Sequence, residues 1–281
     1  MRRAAAWILL PILAAGCAGG SKPHVKKQAP APQAAAPAPA PAKTTSTTAP
    51  ATTRAARPRK APKEPKRAIR KHALRLLPWR PNGMSVVVHV RVPRIAVYRS
   101  PRAKRPMLVL ARRDGNGTPR TFLVRRMTPT WVRVYLPTRP NGSQGWVRRR
   151  AVREFTNGYR LVIRLRAHKL HLWRGTRLLA TYPVAVGTRS TPTPRGLFYI
   201  TELLKPYNPG GSYGPFSFGL SAHSNVLQTF AGGDGRVGLH GTNEPGLIGS
   251  SVSHGCIRLR NAAIRRLAKI LPLGTPVYIR F

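Results

Sequence analysis

Near its C-terminal end the chain reads Gly238-Leu239-His240-Gly241-Thr242 and, further on, Val252-Ser253-His254-Gly255-Cys256-Ile257-Arg258-Leu259. Cys256 is one of only two cysteines in 281 residues. The other, Cys17, closes a stretch that reads as an export signal, and is then not available as a disulfide partner. An exported chain with one unpaired thiol directs attention to that thiol. A cysteine acts as a nucleophile when a neighbouring base or cation favours its thiolate. His240 and His254 are both near enough in sequence to serve. Gly255 removes side-chain bulk beside the sulfur and lets the backbone approach a substrate carbonyl. Backbone N–H groups in such a place are the usual donors to a developing oxyanion.

Taken alone, Cys256 has three readings. It can be a small buried hydrophobe, a zinc ligand together with His240 and His254, or a nucleophile. Zinc is disfavoured because no Cys-x-x-Cys or paired-histidine spacing accompanies the cluster and carboxylates are nearly absent around it. No metal and no organic cofactor are expected. The complete string favours the nucleophile, because it resembles the catalytic motif of the L,D-transpeptidases, the YkuD-like family: His-Gly, a gap, then Ser-His-Gly-Cys. The resemblance covers about 159–281 and includes Thr191-Pro192-Thr193-Pro194-Arg195-Gly196-Leu197-Phe198, which is similar to the family's Thr-Pro-x-Gly-x-Phe segment.

The resemblance implies roles for individual residues. Cys256 matches the nucleophile and His240 the general base, oriented by the backbone carbonyl of Gly241. Only Glu202, Asp234 and Glu244 are acidic in the catalytic stretch 159–281, so a carbonyl orienter suits the composition. His254 and Gly255 match pocket residues beside the nucleophile. Ser253 fits the family's Ser/Thr position, or is a plain turn residue. Arg258 falls where some members carry a polar residue; its guanidinium can grip a substrate carboxylate, or it is a surface charge.

The N-terminus bears on compartment. Met1-Arg2-Arg3 is a short basic region, and Ala4 to Ala15 is an apolar run too short for a comfortable permanent span. It ends Leu13-Ala14-Ala15-Gly16-Cys17, which resembles a lipoprotein processing site, with Ala14 three positions before the cysteine and Leu13 one step earlier. Residues 1–17 therefore read as a signal peptide, with lipidation at Cys17 favoured over ordinary secretion or a retained membrane stub. From 18 to 83, Ala, Pro, Thr, Lys and Arg dominate and little is apolar, which predicts a disordered tether. At about 3.1 Å per residue in polyproline conformation it reaches on the order of 150 Å.

Both halves beyond the tether read as mainly β. Residues 84–155 hold five strand-like runs: Ser85 to Val92, Val97-Tyr98, Thr121 to Val124, Trp131 to Leu136 and Gly145 to Val147. Turn signals lie at Asp114-Gly115-Asn116-Gly117 and Pro140-Asn141-Gly142. They predict a small β-barrel module, whose Gly145-Trp146-Val147 ending resembles bacterial Src-homology-like domains. Residues 159–281 read as a β-rich catalytic domain with strands at Arg160 to Leu165, Lys169 to Trp173, Ala180 to Val186, Phe198 to Ile200 and Val277 to Ile279. One short helix follows the motif, with Asn261 as its N-cap, an apolar stripe of Ile264, Leu267, Ala268 and Leu271, and a stop at Pro272 and Gly274.

The formal charge is +44, from 50 Lys+Arg against 6 Asp+Glu. A nucleic-acid partner is not expected, because the cations are spread over every segment without a base-reading motif and the signal points to export. Outside a membrane the polyanions are lipid headgroups, anionic wall polymers and peptidoglycan stem carboxylates. The expectation is an extracytoplasmic, lipid-anchored enzyme facing the wall. The resemblance implies 3→3 crosslinking of peptidoglycan stem peptides through a cysteine acyl-enzyme, and acylation by carbapenem-type β-lactams. The alternatives are an L,D-carboxypeptidase, an enzyme attaching protein to peptidoglycan, or a non-catalytic wall-binding lipoprotein.

Overall fold

A computed structural model describes residues 82–230 and 232–281. The expected signal peptide, the expected lipidation site Cys17 and nearly all of the expected tether, 18–83, lie outside the described residues.

The first sheet grows from β-branched runs. β1 (Ser85–Val90), β4 (Thr121–Met127), β5 (Trp131–Tyr135), β6 (Gln144–Arg148) and β7 (Val152–Asn157) hydrogen-bond in the order β6-β5-β4-β1-β7. The remaining two strands, β2 (Arg94–Val97) and β3 (Leu108–Ala111), form a hairpin. Bridges from Tyr98 to Trp146 and from Arg113 to Pro119 tie it back to the sheet and curl the module toward a barrel. Val87, Val88, Phe122, Leu123, Val132, Val134 and Val147 fill its core. Two of the seven strands escape a pattern reading. β3 is four residues long at an edge, and β7 exposes Arg153, Glu154, Phe155 and Thr156. β7 exists because β1 offers it an unpaired edge.

The second sheet has eight strands. β8 (Tyr159–Arg164), β9 (Lys169–Arg174) and β10 (Arg177–Pro183) form a meander, and β11 (Val186–Gly187) follows. β12 (Gly196–Leu204), β13 (Ser217–His223) and β14 (Arg236–His240) run antiparallel in sequence. β15 (Ser251–Ser253), β16 (Ile257–Arg258), the helix α1 (Asn261–Ile270) and β17 (Pro276–Arg280) complete the chain. The sheet order is β10-β9-β8-β17-β12-β13-β14-β16, and β11 pairs with β15 in parallel. In α1, Ile264 and Leu267 are buried against the sheet while Arg265, Arg266 and Lys269 face away.

One detail of the helix differs from expectation. Asn261 does not cap it; the N-cap is Arg260, which makes no side-chain cap bond. Asn261 Oδ1 instead accepts the backbone N–H of Thr242 at 2.9 Å. A tertiary acceptor for the turn after His240 displaces the local capping role.

β12 carries apolar residues on both faces because it lies between two cores. Phe198 and Ile200 belong to the core of the second sheet, whereas Tyr199 is buried in that of the first. The Tyr199 hydroxyl donates to Tyr135 O at 3.2 Å, and burial pushes its phenol pKa well above the usual range, so it stays a donor. Gly274 needs its positive φ of 81°, and a Cβ there would meet Val87 Cγ1 at 2.5 Å. The two sheets are therefore packed in direct contact. Tyr199→Phe should cost about 1 kcal/mol by loss of the hydroxyl bond. Tyr199→Ala should cost about 3–5 kcal/mol by opening a cavity between the cores. Urea unfolding midpoints with an unchanged slope would check both.

Candidate active site

The site is assembled by a parallel strand pair. β14 and β16 align Leu239 with Ile257 and His240 with Arg258, and Leu259 N–H donates to His240 O at 2.8 Å. This register places the end of the first motif beside the end of the second, although about sixteen residues separate them in sequence. His240, Ser253, His254, Cys256 and Arg258 line one cavity of about 70 Å³, joined by Ser212, Tyr213 and Phe230.

His240 is buried, and its Nδ1 lies 2.7 Å from Gly241 O. A carbonyl oxygen only accepts, so Nδ1 carries the proton and Nε2 keeps its lone pair. Burial, with a smaller push from the Arg258 charge, lowers the His240 pKa from 6.5 to about 4, against the upward pull of the Gly241 carbonyl. The imidazole is therefore neutral near pH 7 and free to take a proton. Burial also raises the Cys256 thiol pKa, only partly offset by the Gly238 N–H that donates to Sγ at 3.3 Å and by Arg258. The resting pair is thiol and neutral imidazole, not a preformed ion pair.

The turn holding Cys256 is braced from within. Ser253 Oγ donates to Cys256 O at 2.6 Å and accepts the Gly255 N–H at 3.1 Å. Ser253 O in turn accepts Thr188 N–H and Thr191 Oγ1, each at 3.1 Å. Ser253 thus shapes the loop from behind. Gly255 has φ of 114°, a region side chains rarely adopt, and nothing lies closer than 3.7 Å to a Cβ built there. Backbone conformation, rather than bulk, demands glycine here. Its N–H is already committed to Ser253 Oγ, so it is not a free oxyanion donor in this arrangement.

His254 is exposed and stacks on Phe230, with ring centroids 5.3 Å apart. Arg258 Nη1 pairs with Glu244 Oε2 at 2.7 Å, and Arg258 Nε is buried without a hydrogen-bond partner. Cys17 lies outside the described residues.

Three participants were not singled out by the motif reading. Tyr213 packs its ring 4.8 Å from that of His240 and lines the cavity that His240 shares with Cys256. It is held there by Gly214, where a Cβ would meet Asn261 Oδ1 at 2.4 Å and Gly241 Cα at 2.7 Å. Phe230 forms a second wall, and Glu244 occupies Arg258. The signal for Tyr213 was the run from Pro206 to Phe216, glycine- and proline-rich yet aromatic, since long loops of this kind in compact domains usually carry function.

The protonation states give a pH test. Between pH 6.5 and about 4 the unfolded chain binds a proton at His240 that the folded chain does not. Stability should therefore fall as pH drops through that window and level off below it. His240→Gln should flatten this slope in chemical denaturation series. Alkylation of Cys256 by iodoacetamide should keep rising through the alkaline range, following the raised thiol pKa.

A family model described as the L,D-transpeptidase catalytic domain, YkuD, matches residues 158–279. The YkuD protein of Bacillus licheniformis is 41% identical over 121 residues, which are 43% of this chain and 65% of that protein. The YkuD protein of Bacillus subtilis (strain 168) is 39% identical over 125 residues, 44% of this chain and 68% of that protein. The chain thus spans about two thirds of the length of these relatives. A solved L,D-transpeptidase from Mycobacterium smegmatis aligns over 58% of this chain and 92% of its own, at 16% identity and a TM-score of 0.37. With these sequence matches beside the His240–Cys256 cavity, the chain belongs to the YkuD family of L,D-transpeptidase catalytic domains.

Proposed function

We propose that this chain is a peptidoglycan L,D-transpeptidase that forms 3→3 crosslinks through a Cys256 acyl-enzyme. The observation that carries the reading is the His240 imidazole, buried, neutral and locked by Gly241 O in the tautomer that leaves Nε2 basic, in one cavity with the Cys256 thiol. As Sγ bonds to the carbonyl joining the L-centre of a stem diamino acid to terminal D-alanine, His240 Nε2 takes the thiol proton. The C–N bond breaks, D-alanine leaves with that proton on its amine, and a thioester remains. The side-chain amine of a second stem attacks the thioester. Its proton returns through His240 to the departing sulfur, and an amide joins the two stems.

Proton transfer at the moment of attack fits a thiol kept neutral by burial, because the charge need not exist before substrate excludes water. Arg258 supplies a carboxylate site, with Glu244 the internal carboxylate that a stem carboxylate displaces. Tyr213 covers His240 and limits its access to water. Arg91, Arg94, Arg148 and Arg150 line adjoining clefts on the first sheet and offer anionic wall polymers or headgroups a place to settle. Residues 1–17 fit an exported, lipid-anchored enzyme, with the following tether spanning the distance to the wall.

Incubation with purified tetrapeptide muropeptides, followed by mass spectrometry, should yield 3→3 dimers. Tripeptide alone would indicate water as the acceptor and a carboxypeptidase. Cys256→Ala should abolish turnover, and His240→Ala should lower it by about 10²–10⁴-fold, more than His254→Ala does. A carbapenem should add one adduct by intact mass, absent from Cys256→Ala. An unmodified wild type would remove the nucleophile. In cells, Cys17→Ser should leave the signal uncleaved or release the protein from membranes; normal processing with full membrane retention would overturn the lipid anchor.

A further inference from the structure

Outside the cavity, a dense cluster of hydrogen bonds joins the turn between β5 and β6 to the segment 224–235. Arg139 Nη1 donates to Ser224 O at 2.6 Å, and Nη2 donates to Leu227 O at 2.9 Å and Asp234 O at 3.0 Å. Asn141 Nδ2 donates to His223 O at 2.7 Å and to Asn225 Oδ1 at 3.0 Å, and its Oδ1 accepts the His223 N–H at 2.8 Å. Gly235, with φ of 71°, makes room for the guanidinium, since a Cβ there would stand 2.8 Å from Arg139 Nη2.

These bonds grip one end of a segment whose other end reaches the site. Ser224 N–H donates to Gly235 O at 2.8 Å, closing the base. Further along, Phe230 and Gly233 exchange backbone bonds of 3.1 and 2.9 Å. Phe230 lines the cavity with Cys256 and stacks on His254. The carbonyls that Arg139 holds come from both arms, Ser224 and Leu227 on one and Asp234 on the other. A planar fork with fixed donor directions can bridge the arms and fix their separation, which a single flexible donor does not. Cys256 and His240 stand on β16's turn and β14, outside this segment.

We propose that Arg139, contributed by the first sheet, is a positioning residue for the catalytic cavity. With Asn141 beside it, Arg139 holds the 224–235 segment where Phe230 meets His254 and walls the stem-binding side of the pocket. The first sheet thereby sets substrate affinity in the second without touching the reacting atoms. The inference rests on the cavity being a stem-peptide site.

Arg139→Ala in the full chain tests it. Hydrogen exchange of amides in 224–235 should quicken by about tenfold while β1 and β4 keep their protection. KM for the tetrapeptide muropeptide should rise about tenfold with kcat within about twofold. Phe230→Ala should raise KM similarly, and the double variant should be no worse than either single change, because both remove the same wall. Arg139→Lys, which keeps the charge but loses the fork, should fall between wild type and Arg139→Ala, and serves if the alanine variant folds poorly. Unchanged exchange in 224–235, an unchanged KM, multiplying effects in the double variant, or exchange quickening throughout the molecule would each overturn the inference. If wild type turns over no muropeptide, the crosslinking reading has failed, and the exchange arm still decides whether Arg139 holds the segment.

Discussion

The parallel pairing of β14 with β16 is the constraint on which the site depends. A parallel pair cannot be joined by a tight turn, so the chain between His240 and Ile257 must travel out and return. On its way it forms β15, which pairs with β11 and anchors the returning chain. The braces at Ser253 then fix the turn that presents Cys256. Asn261, at the start of α1, holds Thr242 on the outgoing side. Slipping this register by one residue would carry His240 to the opposite face of its strand and out of the cavity it shares with Cys256.

Charge follows a simple economy. With five acidic residues among those described, every carboxylate has an internal task. Asp114 accepts Asn116 and Thr118 in a turn, Glu154 holds Arg149, and Glu202 takes Arg236 and Asn116. Asp234 meets His223 and Arg236, and Glu244 meets Arg258. The exposed pairs contribute little stability by themselves. Their worth is in placement, most clearly for Glu202, which is buried between the sheets against Gly219, where any Cβ would strike its carboxylate. Among the described residues most of the other cations are exposed, where they give the molecule its field.

The His240–Cys256 pair faces a conflict between access and polarity. Burial raises the thiol and lowers the imidazole, so both are uncharged at rest. Arg258 biases the sulfur toward thiolate and the imidazole away from its cation, while the Gly241 carbonyl leans the other way on the imidazole. The site therefore stores a matched donor and acceptor rather than separated charges, and the low local dielectric that suppresses charge at rest strengthens it once formed.

The sequence alone determined the β-rich class and the family, because the Ser253 to Cys256 string and its distant His240-Gly241 partner carry chemistry that few other arrangements require. It also determined the α1 helix, since Ile264 and Leu267 recur at helical spacing before Pro272. It did not reveal β13, whose Ser217, Gly219, Ser221 and His223 alternate with apolar residues like a solvated face; yet Ser221 Oγ accepts the N–H of Tyr199 on the neighbouring β12, and His223 N–H donates to Asn141 Oδ1 from the turn between β5 and β6. Nor did it reveal that Asn261 serves Thr242 rather than its own helix. Phe230 and Arg139 were silent, and for Tyr213 only its unusual loop composition stood out, because their roles come from loops folded against distant strands. Local patterning records which residues must be buried or reactive. Which groups meet across the two sheets depends on strand register and packing, and these exist only in the assembled tertiary structure.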